Sequence, residues 1–166
     1  MATKADFTPD EWQQLLEGVM MSGMAVSMAE PSGLWGMLKE GFSSAGALAK
    51  AKIDDDANPL IKAMVDDFGT SEGRSVAREG LQEKFTGRKP PEIKAACIDT
   101  LRQVSALLDQ KAPNDAAAVK AWLRDISQGV AEASSEGGFL GFGGVQVSDA
   151  ETATLGEISG ALGLQA

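Results

Sequence analysis

The sequence of 166 residues contains no histidine, no tyrosine and a single cysteine, Cys97. Without histidine, the usual zinc sites and the Ser-His or Cys-His nucleophilic machinery are excluded. One cysteine cannot form an internal disulfide, and its position on an apolar helical stripe predicts a buried, inert thiol. We therefore expect a protein that is not an enzyme.

Long apolar runs are also missing, since none approaches the ~20 residues of a membrane span. The N-terminal residues MATKADFTPDEW lack the apolar core of a signal peptide. The formal net charge is −9, from 24 acidic and 15 basic residues, and a surface of that sign repels phosphate backbones and anionic lipids. We expect a cytoplasmic protein that binds neither nucleic acid nor membranes. The charge favours cations or an unknown basic protein partner, unless it serves only solubility; the sequence specifies no oligomeric state.

Aromatic residues are scarce, and Ala, Met and Leu supply most of the apolar side chains. Such residues lose little freedom in a helix, and no stretch alternates with period two for long enough to form a sheet strand. The sequence therefore predicts an all-α protein, a single domain over residues 1–166, built as a bundle of about seven helices. The first helix is apolar over a wide arc and should lie at the centre of the bundle.

Two helix starts carry the same capping box, in which a hydroxyl and a glutamate three residues later each accept the other's backbone N–H. These are Thr8 with Glu11 and Ser148 with Glu151. Gly163 is predicted to end the last helix in the left-handed conformation. Further helix starts are predicted at Asn58, at Ser71 and at Asn114 or Asp115. Short helices are predicted at 35–40 and 44–52. The acidic segments 54–56 and 66–67 are predicted to be exposed turns.

The N- and C-terminal parts of the chain resemble each other. Aligning Glu30 with Glu136 makes the apolar stripes of two predicted helices coincide. Each helix then carries a glycine at the same place, Gly23 in the first and Gly129 in the second. Because glycine inside a helix costs ~1 kcal/mol relative to alanine, the matched glycines indicate two helices that approach closely there. We therefore predict pseudo-repeated N- and C-terminal parts.

A glycine-rich segment, from Glu136 to Val145, separates the last two predicted helices. It contains large apolar residues, among them Phe139, Leu140 and Phe142, and these need burial. We therefore expect the segment to fold back over the last two helices. A phosphate-binding loop is rejected, because no strand precedes the segment and it contains no Gly-Lys-Ser/Thr.

The motifs of the last third of the chain are a helix ending in VAEASSEG at 130–137, the acidic cap SDAE at 148–151, and a helix ending in ISGALG at 158–163. This order resembles the TerB-like tellurite-resistance family, in which a helix ending in Ala-x-Ser-Asp-Gly precedes a loop, an acidic cap and a helix ending in Ala-Leu-Gly. The glycine-rich loop is several residues longer here than the family's usual turn. The resemblance implies an all-helical fold of two similar halves.

Carboxylates are the remaining candidates for chemistry. If the glycine-rich segment folds back, Glu136, Asp149 and Glu151 converge, and such hard oxygen ligands suit Ca²⁺ or Mg²⁺. Alternatively, Glu151 serves only as a helix cap, while Glu136 and Asp149 are solvated charges at helix ends. A helix C-terminus is an unfavourable place for the charge of Glu136.

We therefore expect a non-enzymatic helical protein, similar to the TerB-like group, that binds a divalent cation (Ca²⁺ or Mg²⁺) and acts in stress response. The alternative is a helical protein–protein interaction module without a metal site. A cation that binds the folded state stabilises it by mass action. Thermal melts with and without Ca²⁺ therefore distinguish the two hypotheses.

Overall fold

The structure, a computed structural model, describes residues 1–29, 57–136 and 147–164, and for 133–136 the backbone only. Within these ranges the chain forms six α-helices and no β-strand, so the all-α prediction is confirmed. The helices are α1 (Pro9–Ser27), α2 (Pro59–Gly69), α3 (Ser71–Phe85), α4 (Pro90–Lys111), α5 (Pro113–Glu136) and α6 (Asp149–Ala161), preceded by a 3-10 turn at Lys4–Asp6. Several predictions fall outside the described residues. These are the helices at 35–40 and 44–52, the acidic turn at 54–56, and the burial of Phe139, Leu140 and Phe142 in the glycine-rich segment.

Helix α1 lies at the centre of the bundle, as its wide apolar arc predicts. It contacts each of the five other described helices, and its buried side chains include Trp12, Leu16 and Met20. A central helix also buries polar side chains, which need hydrogen-bond partners. The buried Ser22 hydroxyl finds one within its own helix, since Ser22 Oγ donates to the Gly18 carbonyl at 2.8 Å. None of the described helices is long and apolar enough to cross a membrane.

Helices α1, α4 and α5 are held by close contacts along their lengths. A Cβ on Gly18 of α1 would lie 3.2 Å from a methyl group of Val104 on α4, so a small residue lets these two helices approach. Only Ala112 separates α4 from α5, and the two fold back on each other. Lys120 Nζ on α5 donates to Asp109 Oδ1 on α4 at 2.6 Å, which fixes this hairpin.

Helix α6 follows the direction of α4. Lys94 Nζ donates to Glu157 Oε1 at 2.9 Å, and further along both helices Ser105 Oγ donates to the Leu162 carbonyl at 3.1 Å. Because α5 folds back on α4, this order of contacts makes α5 and α6 antiparallel. The end of α5 and the start of α6 therefore lie at the same end of the bundle.

Both predicted capping boxes are confirmed. The Thr8 amide donates to Glu11 Oε2 at 2.8 Å, and the Glu11 amide donates to Thr8 Oγ1 at 3.2 Å. The Ser148 amide donates to Glu151 Oε2 at 2.9 Å, and the Glu151 amide donates to Ser148 Oγ at 3.2 Å. Gly163 has φ of +70°, the left-handed conformation predicted for the end of α6.

The cap of α3 is one residue earlier than predicted. Ser71 is the first residue of the helix, and the preceding Thr70 caps it by accepting the Gly73 amide at 2.9 Å. The Thr70 hydroxyl also donates to the Asp67 carbonyl at 2.6 Å. Thr70 therefore joins the end of α2 to the start of α3, which a cap at Ser71 would not do.

The predicted caps of α5 at Asn114 or Asp115 are wrong, because the helix already begins at Pro113. Asp115 lies in the first turn and is only 1% exposed. Its carboxylate accepts the Ala2 amide and the Asn58 side-chain amide, each at 2.7 Å. Asp115 therefore ties α5 to the N-terminal segment and to the start of α2, where Asn58 acts as the predicted cap.

The close approach predicted beside the matched glycines occurs between α1 and α5. Ser127 Oγ donates to the Ser22 carbonyl at 2.9 Å, and the nearby Gly23 and Gly129 are both buried. A side-chain bond to a backbone carbonyl of another helix requires that the helices nearly touch. The pseudo-repeat itself stays a prediction.

The Cys97 thiol is buried in the core, as predicted. Burial raises its pKa to about 12. Because the thiolate is the nucleophilic form, this side chain acts as a small apolar residue of α4.

Candidate functional site

The three carboxylates predicted to bind a metal fall at the α5–α6 end of the bundle. Glu151 is 6% exposed, and its Oε2 accepts the Ser148 amide. Asp149, the first residue of α6, is exposed. Glu136 ends α5, and its side chain lies outside the described residues. Among the side chains that are described, no three His, Cys, Asp or Glu residues are grouped to hold a metal ion.

A cleft of about 370 Å³ lies at another place, between the N-terminal segment, the first turns of α1 and the junction of α2 with α3. Its walls combine apolar side chains with charged ones. They are formed by Lys4, Phe7, Thr8, Pro9, Asp10, Trp12, Gln13, Leu16, Asp67, Glu72, Gly73 and Val76. The size is within the range of ligand-binding clefts, roughly 300–1,000 Å³.

Trp12, Asp67 and Lys4 interact in one wall of the cleft. Trp12 Nε1 donates to Asp67 Oδ2 at 2.6 Å, and Lys4 Nζ donates to the same oxygen at 2.8 Å. Lys4 Nζ also lies 5.6 Å from the centroid of the Trp12 ring, which is the distance of a cation–π contact. The ring of Phe7 lies against the indole, with centroids 5.9 Å apart.

The Asp67 carboxylate is held in its charged form. Partial burial raises its pKa, but the hydrogen bonds from Lys4 and Trp12 lower it, and the net result is a pKa below the usual value. Asp67 is therefore ionised at neutral pH. It places a negative charge beside the indole.

The tight junction of α2 with α3 places Asp67 and Glu72 on the same cleft. A Cβ on Gly73 would overlap the Asp67 carbonyl oxygen, so only glycine allows α3 to start this close to the end of α2. Arg74 Nη1 donates to the Gly69 carbonyl at 2.6 Å and fixes the same junction from outside.

An ion pair between a buried carboxylate and a partly exposed lysine supports the cleft from behind. Glu17 of α1 is 3% exposed and accepts hydrogen bonds from Lys84 of α3 and, at 3.0 Å, from Gln13, which lines the cleft. A Cβ on Gly80 would overlap the Glu17 carboxylate. The missing side chain at position 80 therefore gives this carboxylate its place between α1 and α3.

The charges of the cleft favour a cationic ligand. Asp10, Asp67 and Glu72 face a single lysine among the lining residues. Carboxylates next to an indole are the groups that recognise ammonium and guanidinium ions. The lining residues include neither histidine nor cysteine.

The sequence does not predict this cleft. The sequence predicts that both residues of the segment 66–67 are exposed. Asp66 is exposed, but Asp67 is partly buried against Trp12. Trp12 and Asp67 are 55 positions apart, and no local pattern connects them. The available signal is chemical, since a buried indole N–H needs an acceptor.

Comparison of the chain with protein-family models, with curated proteins and with solved structures finds no match. The resemblance to the TerB-like family therefore stays a prediction. What the chain binds must be inferred from the geometry of its own residues.

Proposed function

We propose that the protein is a non-enzymatic helical binding protein whose cleft takes a cationic group of a basic protein partner. The observation that carries this proposal is the cleft itself, in which three carboxylates and the Trp12 indole surround a space of about 370 Å³. The net charge of −9 attracts basic partners over a longer range and disfavours nucleic acid. A cytoplasmic location is part of the same proposal.

The charge state of the cleft supports binding over catalysis. A general acid or base works best with a pKa near the operating pH, whereas the pKa of Asp67 is lowered by its hydrogen bonds and lies far below neutrality. The carboxylate thus contributes attraction and orientation. Asp10 and Glu72 lie at exposed positions of the same cleft, where they meet an arriving partner first.

A titration with a short basic peptide tests the proposal. The probe is acetyl-Gly-Lys-Gly-Lys-Gly-amide, and binding is followed through the indole N–H resonance of Trp12. We expect Glu72→Gln to weaken binding up to about fivefold, since an exposed charge pair contributes about 0.2–1 kcal/mol. The matched control is Glu83→Gln, because Glu83 is also an exposed glutamate of α3 but does not line the cleft.

Equal weakening by Glu72→Gln and Glu83→Gln would show that the peptide is attracted by net charge alone. In that case the cleft is not the binding site. A peptide with glutamate in place of lysine serves as the second control and is expected not to shift the Trp12 resonance.

The second candidate function is binding of a divalent cation by Glu136, Asp149 and Glu151. The antiparallel arrangement of α5 and α6 supports it. Arg124 Nε donates to Ser159 Oγ at 3.3 Å, and from this contact Glu136 lies about 18 Å along one helix and Asp149 about 15 Å along the other, at 1.5 Å per residue. The two acidic positions are thus expected near each other. Together with the C-terminal motifs, this would place the protein in the TerB-like group, with a role in stress response.

Thermal melts with millimolar Ca²⁺, Mg²⁺ or Mn²⁺ test the second candidate. A cation that binds only the folded state stabilises it by about 2.7 kcal/mol at a hundredfold excess over Kd. We expect Glu136→Gln combined with Asp149→Asn to abolish the rise in Tm, and Asp125→Asn, an exposed charge of α5, to leave it unchanged. A wild-type Tm that does not respond to any of the three ions would eliminate the metal site.

A further inference from the structure

We propose that Lys4 is an internal ligand of the cleft, and that the partner inserts a lysine side chain that takes its place. The inference rests on the proposed function and names the ligand of that site. Lys4 Nζ already makes the two contacts that a cationic ligand would make, at 2.8 Å from Asp67 Oδ2 and 5.6 Å from the Trp12 ring centroid.

The Lys4 side chain is accessible for exchange. It is 59% exposed, and an ion pair at such a surface contributes little to stability. The backbone on either side is anchored independently, by the bond from the Ala2 amide to Asp115 and by the buried ring of Phe7. Lys4 can therefore leave Asp67 by a rotation of its side chain, while the N-terminal segment stays in place.

The geometry at Asp67 favours an ammonium over a guanidinium. The indole N–H and the Lys4 ammonium both donate to Oδ2, so the cation is held at a single oxygen that the indole also uses. Arginine binds carboxylates best through two parallel bonds to two oxygens, whereas lysine acts as a point charge. The subsite therefore fits lysine.

The remaining charges of the cleft are suited to the residues that flank such a lysine. Asp10 and Glu72 line the same cleft as Asp67 and are exposed. With Lys4 displaced, the cleft presents three carboxylates and no cation of its own. The partner segment is accordingly a basic one, with an inserted lysine and further positive charges beside it.

Removal of Lys4 tests the competition. We compare Lys4→Met with Lys89→Met, an exposed lysine outside the cleft, using the same lysine peptide and the Trp12 indole resonance. Both variants change the net charge by the same amount. We expect Lys4→Met to tighten binding about threefold to tenfold more than Lys89→Met. When Lys4 occupies the site for most of the time, the apparent affinity for an external ligand is reduced to the fraction of molecules in which the site is open.

Two further titrations identify the subsite and the ligand. Asp67→Asn is expected to remove the difference between wild type and Lys4→Met. An arginine analogue of the peptide is expected to gain less from Lys4→Met than the lysine peptide does. An equal gain would overturn the preference for lysine.

The outcomes separate this inference from the function on which it rests. If the peptide binds wild type but Lys4→Met is no tighter than Lys89→Met, Lys4 is not a competitor and the inference is wrong, while the cleft remains a binding site. If the peptide binds none of the three proteins, the proposed function is wrong and the inference falls with it. Neither result depends on the stability of the Asp67→Asn variant.

Discussion

Helices α1 and α6 begin with the same capping box but lie in different surroundings. The α1 helix is central and buries a charged residue, Glu17, which needs Lys84 on α3 to hold it. The α6 helix lies at the side of the bundle. Its buried Glu151 is held within the capping box by the Ser148 amide, and its Glu157 makes a partly exposed pair with Lys94. The comparison shows that a local motif can start a helix, whereas the neighbouring helices decide which side chains it can carry.

The glycines around these helices show the same contrast. Gly18 of α1 lies against Val104, and Gly80 of α3 leaves room for the carboxylate of Glu17. In α6, a Cβ on Gly156 or Gly160 would meet nothing within 4 Å among the described residues. The same residue type is thus required by close packing on one side of the bundle and is not required by it on the other.

Gly80→Ala is expected to have the largest effect. The new methyl group would displace the Glu17 carboxylate from Lys84, and separating a buried charge from its partner costs on the order of 3 kcal/mol. Unfolding in urea measures the loss. If the collision with Glu17 is the cause, Glu17→Ala combined with Gly80→Ala should be less destabilising than the sum of the two single changes; strict additivity would contradict the explanation.

Asp115→Asn is expected to have the next largest effect, roughly 2 kcal/mol at pH 7. Burial raises the pKa of Asp115, but the bonds from Ala2 and Asn58 lower it, and the net value is below the usual one. A carboxyl group with a lowered pKa contributes stability above its unfolded pKa, near 3.9, and loses that contribution as the pH falls through the folded value. Wild-type Tm should therefore fall more steeply below about pH 4 than that of Asp115→Asn.

Parallel Tm curves for wild type and Asp115→Asn would contradict this account. Ser159, whose hydroxyl accepts from Arg124 near the end of α6, provides the matched control, because a hydroxyl does not titrate in this range. Ser159→Ala is expected to leave the acid limb of the curve unchanged.

The features that could be predicted from the sequence are those determined within a few residues. The box at Thr8 joins residues three apart, and so does the box at Ser148. By contrast, the bond between Trp12 and Asp67 spans 55 positions, and that between Ala2 and Asp115 spans 113. Such pairs depend on how the helices pack, and the cleft consists of them.

The errors at helix starts have the same physical origin. Thr70 and Ser71 are both suitable caps, and the structure uses Thr70 because its hydroxyl also reaches the Asp67 carbonyl. Asp115 is a good capping residue by type, but its carboxylate binds Ala2 and Asn58. In both cases a tertiary contact decides between local alternatives of similar energy.

Ser148→Ala and Thr8→Ala are expected to have similar effects, about 1 kcal/mol each, because a cap acts locally. Each change removes the acceptor for one backbone amide, that of Glu151 in α6 and that of Glu11 in α1. Urea unfolding of both variants tests whether a cap matters equally at a central and at a peripheral helix. A difference of more than about 1 kcal/mol would mean that one of the two boxes is coupled to the surrounding contacts.

Gly156→Ala is expected to have the smallest effect and the opposite sign. Gly156 lies inside α6, is exposed, and has open space where a Cβ would stand. Alanine reduces the freedom of the unfolded chain without a new contact in the folded state, which raises the free energy of unfolding by about 0.4–1 kcal/mol. Gly18→Ala in α1 is the matched comparison, because its Cβ would press on Val104 at 3.2 Å and should give no gain. If Gly156→Ala lowers the free energy of unfolding, some part of the chain covers that face of α6. The packing around Gly156 of α6 would then be closer to the packing around Gly18 of α1 than the open space beside Gly156 indicates.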